Sequence, residues 1–174
     1  MRIAVDAMGG DKAPEVVVEG AVLAAREYPI EVLLVGTQTT LEGLLQNYDL
    51  GKIKIQVINA SQYVLMGEPA QDVVRKKKDS SMHVCARLMK TGQADAMVTA
   101  GNTAAALAIS RSILGKLKGV SRPSLAMVIP NSIDATVLLD VGANAGSCKS
   151  QHLLEFALMG SVYSKMILKK DIRV

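Results

Sequence analysis

Aromatic side chains are scarce in this sequence, which has no Trp, one Phe (Phe156) and four Tyr. The core is therefore expected to be aliphatic, built from Val, Ile, Leu, Ala and Met. Such a composition suits buried parallel strands, which read as short β-branched and leucine runs. The scarcity also argues against a nucleic-acid partner, because stacking on bases draws on exposed aromatics. Cysteine is equally sparse. Cys85 and Cys148 lie far apart, with no CxxC pair and no His at metal-ligand spacing. They read as reduced thiols, and no metal cluster is visible in the sequence. No apolar run approaches the ~18 residues of a membrane-spanning helix. The opening MRIAVDAMGGD reaches Asp6 before a signal-peptide core could form, so the reading is a soluble, cytoplasmic protein.

The 174 residues are 49% apolar and 21% charged, a globular balance. That length supports a real core, and residues 1–174 read as a single α/β domain. A net charge of +4 and a pI near 9.1 favour acidic partners without specifying one.

Along the chain, aliphatic runs alternate with helix-length segments. Strands are expected at Arg2–Ala7, Glu31–Gly36, Lys54–Ile58 and Ala96–Thr99. Helices are expected from Pro14 to Glu27, over 40–47, from Pro69 to Lys78, from Ser80 or Ser81 to Gly92, and from Thr103 to Leu114. Leu125–Pro130 and Ala135–Asp140 read as an antiparallel pair about a tight 131–134 turn, followed by a helix from Ser150 to Leu168. This alternation implies a mostly parallel sheet with helices on both faces. Such sheets bind ligands beyond the carboxyl ends of their strands, so the loops that follow strands carry the interest.

Three of these loops stand out. Asp6-Ala7-Met8-Gly9-Gly10-Asp11 has paired glycines that allow close backbone approach between two acidic groups. Thr99-Ala100-Gly101-Asn102-Thr103 runs from a strand straight into a helix, whose free amides and dipole favour an anion; Asn102 or Thr103 capping that helix is the simpler alternative. Asp140-Val141-Gly142-Ala143-Asn144 again ends a strand. Neither a GxGxxG nor a P-loop pattern is present. Together the loops point to phosphate or another small anion.

These residues resemble those of the bacterial acyl-acyl-carrier-protein:phosphate acyltransferases. The matching elements, in the family's order, are IAVDAMGGD (Ile3–Asp11), RKKKDSSM (Arg75–Met82), TAGNT (Thr99–Thr103), LLDVGAN (Leu138–Asn144) and HLLEFALMGSVY (His152–Tyr163). Ala104 stands where the family usually has Gly, and Ser150-Gln151-His152 where it often has Pro-Glu-His. The resemblance implies a three-layer α/β/α sandwich with a mostly parallel sheet, like that of phosphotransacetylases and the isocitrate dehydrogenase class. It implies transfer of an acyl group from acyl carrier protein to inorganic phosphate, giving an acyl phosphate for phospholipid synthesis. The product would pass to a membrane glycerol-3-phosphate acyltransferase. A homodimer, peripheral contact with the inner face of the membrane, and a natural length about twice this one are also implied, and no metal or organic cofactor is. A phosphotransacetylase acting on acyl-coenzyme A, or an inactive dimerisation fragment, are the alternatives.

On that reading phosphate is already nucleophilic and a thiolate leaves readily, so neutral donors suffice for catalysis. Asn102 and Asn144 are the expected catalytic amides, with Asp140 orienting donors or binding the leaving side. Asp6, Gly9, Gly10, Asp11, Gly101, Thr103 and Gly142 are expected to line the substrate site. Within the run Arg75-Lys76-Lys77-Lys78, Lys76 is the candidate phosphate contact, while a solvated helix face and a docking patch for the acidic carrier protein remain alternatives. His83 reads as a surface residue beside that run, and His152 as a capping or packing residue. The helix from Leu153 is apolar nearly all round, so burial in the core or a dimer interface is expected.

Overall fold

The runs Arg2–Asp6 and Glu31–Gly36 are strands whose alternate apolar side chains meet a helix on either side, and this organises the architecture. The computed structural model describes residues 1–142 and 148–169. They fall into two compact units, Met1–Gly115 and Lys116–Val174, within the span that the sequence reading takes as one domain.

The first unit contains β1 (Arg2–Asp6), α1 (Glu15–Glu27), β2 (Glu31–Gly36), α2 (Gln38–Leu45), β3 (Lys54–Asn59), α3 (Ala70–Lys76), α4 (Ser81–Lys90), β4 (Ala96–Val98) and α5 (Thr103–Ile113). Its four strands form a parallel sheet in the order β3-β2-β1-β4. Val5, Val32 and Leu34 pack under α1 with Val18 and Val22, while Ala4, Leu33 and Val35 face Val84, Cys85 and Leu88 of α4. A third cluster joins Val73 of α3, Met82 of α4 and Ile109 of α5. The result is the expected α/β/α layering.

Strand order determines where the crevice lies. From β1 the chain winds outward through β2 to β3, then returns to place β4 on β1's other side. α1 leaves β1 over one face, and α5 leaves β4 to pack with α3 and α4 over the other. The ends of β1 and β4 therefore lie side by side where the strand order reverses, the topological switch point at which such sheets form their ligand crevice.

The second unit holds β5 (Ala126–Pro130), β6 (Ala135–Leu139) and α6 (Ser150–Ile167). β5 and β6 pair antiparallel, and Asn131 Oδ1 closes their turn by accepting the amides of Ile133 and Asp134 at 2.9 and 2.7 Å. His152 does cap α6, its Nδ1 accepting the Lys149 amide at 3.0 Å. α6 buries Phe156, Gly160 and Ser164, one stripe four residues apart. Leu154, Leu158, Val162 and Met166 lie exposed in the single chain, so burial of the whole helix in the core does not hold among the described residues.

His83 departs from the sequence reading. It is 4% exposed rather than a surface residue, because α4 is covered from Ser81 through Ala86. Its Nδ1 lies 2.8 Å from Ser80 Oγ, and the same hydroxyl accepts its amide as the helix cap. Burial, with help from the charges of Arg87 and Lys78, holds the imidazole below its ordinary pKa. The native state thus takes up a proton at His83 less readily than the unfolded chain, in which a histidine protonates near pH ~6.5. This contribution to stability is complete above that pH and is lost as the pH falls below it, before carboxylates near ~4 begin to titrate. The urea midpoint is expected to fall between pH ~7 and ~5.5, and His83→Gln is expected to flatten that slope. An identical slope in both proteins would contradict the assignment.

Candidate active site

β1 ends in a carboxylate with almost no access to water: Asp6 is 1% exposed. Its Oδ2 accepts the Thr99 hydroxyl at 2.7 Å, and its Oδ1 accepts the Met8 amide at 3.3 Å. Thr99 Oγ1 in turn accepts the Gly101 amide at 3.0 Å. This relay ties the end of β1 to the segment after β4, across 93 residues of sequence. Asp6 accordingly points into the wall between the two loops.

The glycines are there because the two loops touch. A Cβ on Gly9 would sit 2.5 Å from Asp6 Oδ2 and 3.0 Å from Thr99 Oγ1. A Cβ on Gly101 would come within 3.2 Å of Gly9 Cα. Gly10 lies against Ala100 with φ +119°, a conformation that L side chains rarely adopt. Only backbone fits in this seam.

Asn102 starts α5, its Oδ1 accepting the Ala105 amide at 3.0 Å. Its amide nitrogen donates to the carbonyls of Met66 and Glu68, both at 2.9 Å, with Leu65 O further away at 3.4 Å. Both of its N–H groups are thereby used. The side chain is committed to capping α5 and clamping the 65–68 loop. Thr103 is exposed at the first position of α5. Among the described residues the amides of Thr103 and Ala104 have no acceptor, as helix geometry requires of a first turn. Asp11 is exposed at the rim of the glycine loop.

In the basic run, Lys76 is exposed and pairs with Asp72 one turn away at 3.1 Å. Lys77 does the structural work instead. It pairs with Glu68 at 2.5 Å, donates to Tyr63 O at 2.8 Å and lies 5.9 Å from the centre of the Tyr63 ring. The pairing with Lys77 holds the Glu68 carboxyl below its usual range. Lys77 and Asn102 thus grip the same loop from two sides.

Asp140 and Gly142 belong to the second unit, with φ of 62° and 84°. Asp140 Oδ2 accepts the Cys148 thiol at 3.5 Å. Asn144 lies outside the described residues. The structure therefore brings together Asp6, Gly9, Gly10, Gly101 and Asn102 in the first unit. Thr99 is the member that sequence reasoning left off its list; a threonine two residues before a glycine amide at a strand end is the turn signal that marks it.

A family model described as fatty acid synthesis protein matches residues 1–173. The phosphate acyltransferase of Syntrophotalea carbinolica is 46% identical over 169 residues, covering 97% of this chain and 48% of the relative. That of Alkaliphilus oremlandii is also 46% identical, covering 97% and 50%. The chain thus spans about half the length of the curated relatives it matches. Among solved structures, a phosphotransacetylase from Streptococcus pyogenes aligns with a TM-score of 0.71 at 21% identity, over 98% of this chain and 55% of that one. The EutD phosphotransacetylase from Staphylococcus aureus gives 0.64 at 20% identity, over 95% and 53%. At that identity the likeness concerns fold.

Asn102 carries a prediction. Asn102→Ala removes both cap and clamp, leaving the Met66 and Glu68 carbonyls without this donor, and should cost about 1–3 kcal/mol in urea unfolding. Asn102→Asp keeps the cap acceptor but loses the clamp, and should speed proteolysis within 63–69. Unchanged stability and cleavage in both variants would contradict the clamp.

Proposed function

We propose that this chain, which belongs to the fatty acid synthesis protein family, holds inorganic phosphate at the β1–β4 crevice for attack on an acyl thioester. The supporting observation is the pair of open amides at the start of α5, beside a glycine seam that no side chain can fill. Helix amides and the dipole behind them favour an anion there without an ion pair. The printed name of the relatives, phosphate acyltransferase, fits such an acceptor.

In the reaction, a phosphate oxygen adds to the thioester carbonyl carbon. The carbonyl oxygen becomes an oxyanion, and collapse breaks the carbon–sulfur bond. The thiolate departs and takes its proton from water, leaving an acyl phosphate. Phosphate needs no strong base and the thiolate little acid assistance, so donors that stabilise the oxyanion carry the catalysis; one is worth about 3 kcal/mol. Asp6 acts through Thr99, fixing the Gly101 amide and the direction of the α5 start. Asn144 and Asp140 remain candidates, as a carbonyl donor and an orienting group, on the sequence resemblance alone.

The donor in this reading is acyl carrier protein, an acidic protein that would be drawn to the exposed Arg75, Lys76 and Lys78. The acyl phosphate would feed phospholipid synthesis through a membrane glycerol-3-phosphate acyltransferase. The working protein would be a cytoplasmic homodimer, peripheral to the membrane; among the described residues no helix is long and apolar enough to cross one.

Titrating this chain with inorganic phosphate, followed by phosphorus NMR line broadening, should show saturable binding. Gly9→Ala drives a methyl at the Asp6 carboxylate and should weaken that binding at least tenfold, about 1.4 kcal/mol. Non-saturable binding in the parent chain would reject the proposal. Acyl phosphate formation measured with acyl carrier protein and with coenzyme A as carriers decides the donor, and equal rates would favour the coenzyme A alternative.

A further inference from the structure

We propose that Lys77 is a positioning residue for phosphate: through Glu68 it holds the 63–68 loop against Asn102, and so keeps the first turn of α5 in the form that presents its open amides. This deepens the function proposed above and rests on it.

Lys77 ends α3 in non-helical geometry, with φ −112° and ψ 51°, and its ammonium reaches back to the loop that precedes that helix. The side chains of the Lys77–Glu68 pair are 27% and 26% exposed, against 72% and 53% for Lys76 and Asp72. Water therefore screens the first pair much less than the second. Between the Glu68 carboxylate and the Tyr63 carbonyl, the charge of Lys77 is neutralised within the loop.

Glu68 is the joint. Its Oε1 meets Lys77, its Oε2 accepts the Leu65 amide at 3.2 Å, and its own amide donates to the Leu65 carbonyl at 3.2 Å. Its carbonyl accepts the Asn102 side chain at 2.9 Å. Side chain and backbone of one residue thus join Lys77 to Asn102. Val64 pins the start of the loop in the core beside Val73 and Ile109, which leaves the 65–68 part to these polar contacts.

Asn102 carries the linkage into the helix. Its Oδ1 accepts the Ala105 amide and its backbone carbonyl accepts the Ala106 amide. The Met66 and Glu68 carbonyls set the direction of the same side chain. When the joint opens, those acceptors drift, the side chain loses its fixed rotamer, and the first turn frays as it does when a cap is lost. Open amides hold an anion well only while they are fixed beforehand, because ordering them on binding costs affinity.

The two partners of the pair separate positioning from direct attraction. Lys77→Met removes a positive charge and Glu68→Gln a negative one, yet both break the same joint. Titrated with inorganic phosphate, each variant should bind more weakly than the parent chain by about fivefold or more. The double variant should bind no more weakly than either single one. Lys77→Arg keeps the pair and should bind as the parent does. In phosphate-free buffer, hydrogen exchange at the Ala105 and Ala106 amides should quicken in Lys77→Met and Glu68→Gln, while the β2 amides keep their protection. Tighter phosphate binding by Glu68→Gln would mark a field effect or a direct Lys77 contact and overturn the proposal. So would parent affinity in Lys77→Met, weakened binding with Ala105 and Ala106 still protected, or lost protection throughout the sheet. A parent chain that binds no phosphate would reject the crevice reading instead. Exchange at Ala105 and Ala106 then decides the linkage alone, and parent rates in both variants would overturn it.

Discussion

The buried carboxylate of Asp6, with Thr99 bridging it to the Gly101 amide, is the constraint that the rest of the site depends on. A carboxylate at 1% exposure is tolerable only when hydrogen-bonded, so β1 cannot end there unless β4 ends beside it. Parallel pairing of Val5 with Val98 brings the strand ends level, and the relay then fixes the loops above them. The glycine seam follows, since two backbones joined this closely leave no room for side chains. The amides left open at α5 are therefore positioned by strand register as much as by the helix itself.

A second layer of support comes from the 63–68 loop. Asn102 grips it through two carbonyls, and Lys77 through Glu68 and Tyr63. Neither grip touches the crevice amides directly. Together they couple the start of α5 to a segment more than thirty residues earlier, so a shift in that loop is felt at the first turn of the helix. Asn102, expected from the sequence as a catalytic amide, also serves as a cap and clamp in the fold.

Much of this was legible beforehand, for physical reasons that differ by element. β2 was readable at both ends because Glu31 and Gly36 bracket an unbroken aliphatic run, buried on both faces. α4 was readable at its start because Ser80 is a cap residue and does accept the His83 amide. α3 was read two residues too long, since Lys77 leaves helical geometry to reach partners that its own neighbours in sequence do not disclose. His83 was misplaced for a related reason. Nearby lysines suggested solvent, yet those lysines precede the helix, and α4 buries both its flanks. The strand-end loops were legible as a set, while the direction in which Asp6 and Asn102 point depends on partners 93 and more than 30 residues away. Fold class was readable from alternation alone, and the phosphotransacetylase-like architecture agrees with it.

β4 has only three residues, and among the described strands it pairs with β1 alone. Its far side therefore presents unsatisfied peptide groups, a template for any incoming extended segment. The same short strand carries the threonine relay at its end. Strand addition at that margin would bear on the relay without touching either loop. Loop geometry and recruitment of a neighbouring strand are thus mechanically one variable.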